Sequence, residues 1–505
     1  MTARTIMIQG TGSDVGKSLI VTALCRIFLQ DGHRVAPFKS QNMALNSFVT
    51  ADGGEMGRAQ VVQAGACRID PEVVMNPVLL KPTSNIGSQV IVMGRVVGNM
   101  SAEGYMEYKG DLIGVINDSL NRLRSRYEIV VIEGAGSPAE INLKNRDIVN
   151  MRIAEMADAP VLLIGDIDRG GVFAWLKGTL DLLDEDERAR IKGLIINKFR
   201  GDKEILRPGL EFLEEETGMK VIGVIPYCKD IRIMAEDSVC LTKTESNSAC
   251  LSNRQEGDKI RIGVIRLPHI SNFTDFDPLK IEPDVELYYI GSTGDMLDTD
   301  VVIIPGSKNT ISDLRYIMSN GLSVAIKRSL QMGAIVIGIC GGYQMLGKEI
   351  IDPYHIESDI DNIKGLGFLD IITKFGREKI THQIRAVHLE SGIEVSGYEI
   401  HMGESQGGDR YAPLCRITRR GREDVEIMDG MINADGNIMG TYIHGLFDSD
   451  EFRRKFIDSI RMRKGIESCN DIQSHFDPDR EYDRLADIVR GHLDMDAIYK
   501  NIFTF

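Results

Sequence analysis

Short apolar runs that close on a glycine or a polar residue recur along the chain, with longer segments of helical period between them. In the first half they occupy residues 5–9, 127–133, 160–166, 192–197 and 221–225. In the second half they occupy residues 259–265, 300–304 and 334–339, with a β-prone run ending at Thr441-Tyr442-Ile443-His444. Runs this short and this apolar are buried strands, and strands alternating with helices fit doubly wound, mostly parallel sheets. Between the two series, residues 237–258 turn polar. The pattern therefore predicts two α/β domains, residues 1–236 and 259–450, joined by a linker at 237–258. A charged helical tail follows over 451–505, and its Arg453, Arg454, Lys455, Arg461, Arg463 and Lys464 read as a solvated helix face.

Bulk properties narrow the reading. A chain of 505 residues is too long for one hydrophobic core, which agrees with two or three domains. Its 43% hydrophobic and 26% charged content is that of a soluble globular protein. A net charge of −15 argues against nucleic acid as a partner. With no apolar run long enough to span a bilayer and no leader-like start, the expectation is a cytoplasmic protein with no membrane partner. The eight cysteines lack metal-ligand spacing and read as reduced thiols.

One cysteine stands apart. Cys340 falls at the corner between the strand at 334–339 and a helix opening at Gly341, bracketed by Gly338, Gly341 and Gly342. Only glycines fit beside a residue on such a turn, and a helix N-terminus aimed at sulfur favours the thiolate. His444, beside Gly445, is the candidate general base; such pairs meet only in the fold.

A second constellation opens the chain. The strand at 5–9 runs into Gly10-Thr11-Gly12-Ser13-Asp14-Val15-Gly16-Lys17-Ser18 and then a helical run. A glycine-rich turn at a helix N-terminus cradles phosphates; Lys17 would reach the β and γ phosphates of ATP and Ser18 would hold Mg²⁺. Gly10 and Gly16 lie one residue further apart than in the usual motif. Glu133 ends a buried strand where a Mg²⁺-directed acid belongs. Asp166, Asp168 and Arg169 are candidate contacts to phosphate, metal or substrate. After the strand at 35–38, Lys39, Ser40, Gln41, Asn42 and Asn46 form a loop dense in donors, suited to a substrate rich in carboxylates.

These residues carry a family resemblance. Gly338 to Gly347 together with Tyr442 to Phe447 resembles the class I glutamine amidotransferases, in the branch found in corrinoid biosynthesis. That likeness implies that Cys340 attacks the side-chain amide of glutamine and that His444 moves the proton. It also implies that the loops at Gly306 and Gly341 give the two oxyanion N–H groups, commonly worth ~2.7–4 kcal/mol each. The acid usually found two residues after the histidine is Leu446 here, leaving Glu399 and Glu404 as candidate orienting acids and His401 as a weaker base than His444. The phosphate loop resembles dethiobiotin synthetase and its relatives, which phosphorylate a carboxylate, and lacks the extra lysine of the partitioning ATPases. By the same likeness Asn197 would read adenine, an edge that needs both a donor and an acceptor. Residues 35–47, 75–82 and 88–94 resemble the cobyric acid synthases. The implied reaction is amidation of the b, d, e and g carboxylates of adenosylcobyrinic acid a,c-diamide, consuming ATP and glutamine. The alternatives are an a,c-diamide synthase, which has a different loop at 38–47, and a P-loop regulatory ATPase with a non-catalytic second domain.

Overall fold

The computed structural model describes residues 2–504 apart from 84–86, 229–230, 232, 234–258, 297, 409–410 and 468–473. The expected linker at 237–258 lies outside the described residues.

Six parallel strands form the first sheet: β1 (Arg4–Gly10), β2 (Val35–Phe38), β3 (Ile129–Glu133), β4 (Val161–Asp166), β5 (Ile191–Phe199) and β6 (Val221–Pro226). Their order is β6-β5-β4-β1-β3-β2. Strands β1, β3 and β4 are buried nearly throughout because both faces are covered, which explains their unbroken apolar runs. The chain leaves β1 between β3 and β4, where the connections diverge to opposite sides of the sheet. A ligand cleft forms at such a switch point, beyond the carboxyl ends of the strands.

The second sheet starts with β7 (Ile260–Ile265), β8 (Val285–Ile290), β9 (Val301–Ile304) and β10 (Ile335–Ile339). Two long antiparallel strands, β11 (Ile371–His388) and β12 (Glu394–Gly407), leave this sheet before the chain re-enters it as β13 (Ile438–Thr441). The parallel order is β8-β7-β9-β10-β13, with Met431–Ile432 added antiparallel at the edge. Both sheets are thus the doubly wound α/β arrangement read from the sequence.

Two features were not legible beforehand. The hairpin of Ser47–Val49 and Glu55–Gly57 reaches from the first half onto β11 and β12. Val49 packs with Tyr398 and Ile400, and the Thr381 hydroxyl donates to the Gly53 carbonyl at 2.8 Å. The tail also divides. Helix Asp450–Arg463 stays on the second half, whereas Pro478–Arg490 and Met495–Thr504 return to the first, where Leu485, Val489 and Ile498 share a core with Leu24 and Phe28.

Of the tail's basic residues, Lys455, Arg463 and Lys464 are exposed as expected, but Arg453 and Arg454 are not on a solvated face. Arg453 is 0% and Arg454 4% exposed. Arg453 pairs with Glu282 at 2.7 Å, and Arg454 with Glu282 and Asp284 at 3.2 and 2.8 Å. Charge count alone suggested solvent; Phe452, Phe456, Ile457 and Ile460 turn that helix inward and take the arginines with them. Removing one member of a buried pair strands the other. Arg453→Ala should therefore destabilise the protein by roughly 3–5 kcal/mol, visible as an earlier urea transition; an unmoved transition would contradict this packing.

Candidate active sites

The first site lies where β1 meets its helix, Lys17–Gln30. Gly16, at φ +103°, ends the loop in a conformation that side chains avoid, and a Cβ there would lie 2.1 Å from the Asn197 amide. The Lys17 ammonium folds back to the carbonyls of Gly12 and Gly136 at 2.7 and 3.1 Å. The Ser18 hydroxyl donates to Glu133 at 2.8 Å, and the Lys39 ammonium meets the same carboxylate oxygen at 2.9 Å. Gln63 donates to the other oxygen. The Oε1 of Gln63 and the hydroxyl of Thr11 are buried without a hydrogen-bond partner among the described residues. Oxygen atoms of Ser18, Glu133 and Gln63 are the hard donors that Mg²⁺ takes, so this donor set fits that ion. Gln63 was not singled out from sequence, because a glutamine inside a helix carries no local signal.

The other residues singled out from the sequence are held by partners around this loop. Asn197 is 2% exposed and donates its amide to the Val15 carbonyl at 2.8 Å. That bond uses one of its two amide hydrogens and ties the residue to the phosphate loop. Asp166, Asp168 and Arg169 are tied into ion pairs around the loop: Asp166 with Lys198 at 2.7 Å, Asp168 with Arg200 at 2.8 Å, Arg169 with Asp14 at 3.2 Å. The donor-rich loop is not an open display of donors either. Lys39 meets Glu133, Ser40 donates to the Ile148 carbonyl at 2.7 Å, and Asn42 donates to Gln60 at 3.1 Å. Gln41 accepts from Tyr105, and Asn46 accepts the Phe273 N–H at 3.1 Å from across the boundary between halves. These groups are polar because they are buried against partners.

The second site is built on the β10 corner. Cys340 takes φ +53° and ψ −109°, a strained setting for a residue with a side chain. It persists because its N–H donates to the Thr441 carbonyl at 2.8 Å and because glycines surround it. A Cβ on Gly342 would stand 1.9 Å from the Ile304 carbonyl oxygen. His444 is wholly buried and faces this corner, where it feels the Cys340 sulfur, while the thiol itself donates to the Ile400 carbonyl at 3.4 Å. Its Nδ1 meets Asp275 at 2.6 Å, its Nε2 lies 3.4 Å from the Asn272 amide, and the Tyr398 ring stacks on it at 5.2 Å between centroids. Burial opposes a charge on the imidazole, but the Asp275 carboxylate and the neighbouring sulfur outweigh it and hold the histidine up at about 10.

Asp275 is the acid that sequence reasoning missed. Neither expected acid takes this place: Glu399 is bound by the Arg420 guanidinium at 2.9 and 3.1 Å, and Glu404 is exposed. Asp275 comes from the loop after β7, 169 residues ahead of its histidine, so spacing could not reveal it. His401 lines the cavity beside Cys340 but turns its Nδ1 to the Gly403 carbonyl at 3.0 Å, with its ring stacked on Tyr442. Leu446 is core. Gly306 sits against His444 and Ser271, and Gly341 against the Ser307 N–H. A small cavity opens beside Cys340, lined by Gly341, Ser307, Lys308, Gln344 and Glu357.

The two sites are tied together. Asn272, at φ +52°, accepts the N–H of Ser47 at 3.0 Å while its amide reaches His444. The candidate base of one half is thus linked through Asn272 to a hairpin of the other.

Comparison with known proteins agrees with both halves. Residues 6–239 match the family model described as the CobQ/CobB/MinD/ParA nucleotide binding domain, and residues 261–452 match the CobB/CobQ-like glutamine amidotransferase domain. A cobyric acid synthase from Clostridium acetobutylicum is 52% identical, with 98% of each chain covered. One from Dehalococcoides mccartyi is also 52% identical over 98% of each chain, and one from Pelotomaculum thermopropionicum is 51% identical over 98% of this chain and 96% of its own. With a nucleotide-binding half, an amidotransferase half and relatives alike from end to end, this chain belongs to the cobyric acid synthase family of glutamine-dependent amidotransferases.

Proposed function

We propose that the chain amidates the b, d, e and g carboxylates of adenosylcobyrinic acid a,c-diamide in the cytoplasm, spending one ATP and one glutamine on each. Support comes from end-to-end likeness to cobyric acid synthases and, above all, from the arrangement of Cys340, His444 and Asp275 across a hydrogen-bonded seam from a phosphate loop. A P-loop regulator with an inert second domain has no use for a strained thiol beside a carboxylate-held imidazole.

Each half has its own task. A carboxylate is a poor electrophile because it has no good leaving group. Phosphoryl transfer from ATP, with Lys17 and the loop N–H groups of residues 10–16 holding the phosphates, makes it an acyl phosphate. Ser18, Glu133 and the oxygen of Gln63 would hold Mg²⁺, which when bound neutralises charge on the transferred phosphoryl group. In the second half the Cys340 sulfur adds to the glutamine side-chain carbon. The N–H groups of Gly341 and the loop at Gly306 hold the oxyanion, and His444 gives its proton to the departing nitrogen. Ammonia leaves, water with His444 as base cleaves the thioester, and glutamate is released. The ammonia then displaces phosphate from the acyl phosphate. It must arrive neutral, which favours a route between the halves that excludes water. Asp275 holds the imidazole by Nδ1 so that Nε2 faces sulfur.

Cys340→Ala should abolish glutamine-dependent synthesis and leave synthesis from ammonium salts intact; loss of both would give the thiol another role. Lys17→Ala should stop synthesis from either nitrogen source, and retained synthesis would remove ATP from this loop. Asp275→Asn should cut the rate of glutamine hydrolysis on the order of 10³–10⁴-fold. The carboxylate keeps His444 protonated up to pH about 10, so its loss lets the proton leave sooner, and the alkaline limb of the hydrolysis profile should move to lower pH. An unchanged rate and limb would exclude Asp275 as the orienting acid.

A further inference from the structure

A wide cleft among the described residues belongs to neither the phosphate loop nor the thiol. It encloses about 1260 Å³ between the halves, against 440 Å³ for the pocket beside the phosphate loop. Sites for drug-sized ligands run to ~300–1,000 Å³, so this one suits something larger. One wall comes from the first half, residues 51–55 and 93–97, and the facing wall from β11 and the hairpin Cys415–Arg420 and Glu423–Asp429.

Its lining is apolar and charged, with the acids Asp52, Glu55, Glu378 and Glu423 interspersed among the basic groups. Val96 and Val97 are 41% and 48% exposed on a strand, a costly place for β-branched side chains unless something apolar covers them. Around them stand Arg95, Arg377 and Arg422, all exposed guanidinium groups suited to pairing with carboxylates in a fork. A ligand that fills this cleft needs a broad apolar body and an anionic rim. A reduced macrocycle carrying propionate and acetate arms has that shape and that charge.

The position is equally telling. Lys379 lines both this cleft and the cavity beside Cys340, and it closes the floor between them through its ion pair with Glu55. Glu55 also binds Lys81, which lines the thiol cavity. On the other side, the hairpin that forms the wall leads to the phosphate site. The Gly57 N–H donates to Asn76 at 3.0 Å, Asn76 donates to the Lys39 carbonyl at 3.1 Å, and Lys39 meets Glu133 at 2.9 Å. The cleft therefore adjoins the source of nitrogen and is joined by a short bonded chain to the source of phosphoryl.

We propose that this interdomain cleft is the corrinoid-binding site, with Arg95, Arg377 and Arg422 holding peripheral carboxylates while the macrocycle covers Val96 and Val97. The proposal rests on the amidation reading above. It also gives a reason for the room: one site that serves four carboxylates must admit the ring in several orientations, and arginines on both walls of the cleft can meet a carboxylate in each.

The test is binding of cobyrinic acid a,c-diamide, followed by its visible absorption, to wild-type protein and to Arg95→Glu, Arg422→Glu and Val96→Asp, all surface changes that leave both catalytic centres intact. Each variant should weaken corrinoid binding at least tenfold. Wild-type affinity should fall with added salt, and the KM for ATP and basal glutamine hydrolysis should stay as in wild type. Wild-type affinity in all three variants would overturn the site. Failure of the amidation reading looks different: wild-type protein would then form no amide from the same corrinoid whatever the state of these arginines.

Discussion

His444 is fixed from two sides, and only one of them belongs to its own half. Asp275 holds Nδ1, while Asn272 stands at Nε2 and is itself clasped by the N–H of Ser47. Ser47 opens the hairpin whose far strand, through Gly57 and Asn76, leads back to Lys39 and Glu133. A wholly buried imidazole cannot be repositioned without moving these partners, because each unmet polar group in the interior is costly. The thiol chemistry and the phosphate chemistry therefore share one mechanical frame, and the halves act as one enzyme although each has its own sheet and core.

The same frame explains where the chain spends strain and buried charge. Cys340 is held at positive φ by glycines that no larger residue could replace, with the backbone of β9 against Gly342. Glu55 lies 1% exposed between Lys81 and Lys379, which together hold its carboxyl far below the usual range despite burial. Burial brings Lys379 down to about 8. That cluster sits between the cavity beside Cys340 and the cleft between the halves. The returning tail closes the molecule from behind: Arg26, 1% exposed, binds Asp479 and Asp483 at 2.7 Å each, so the last helices secure the helix that begins at the phosphate loop.

What was legible in the sequence is what local chemistry dictates. Strands buried on both faces announce themselves by composition, and a glycine-bracketed cysteine or a Gly-Lys-Ser turn needs its neighbours within a few residues. Asp275 could not be read, because nothing near Asn272-Phe273-Thr274-Asp275 marks it as the partner of a histidine in another segment. The loop from Lys39 to Asn46 hid its internal partners: Lys39 meets Glu133, Ser40 the Ile148 carbonyl, Asn42 Gln60 and Asn46 the Phe273 N–H, none of them near in sequence. Arg453 and Arg454 were equally hidden, since charge pattern carries no information on which acids lie opposite. The cleft between the halves was invisible, because its walls come from four segments spread over more than three hundred residues.

The central claim is that nitrogen freed at Cys340 is consumed in the other half without entering the solvent. The most direct measurement gives the enzyme amide-¹⁵N glutamine, ATP and cobyrinic acid a,c-diamide in the presence of excess unlabelled ammonium, under conditions where glutamine is preferred, and weighs the product. Four new amides carrying undiluted ¹⁵N are the result this account predicts. Amides diluted toward the isotopic composition of the bulk ammonium, or labelled ammonia accumulating with no amide formed, would contradict it.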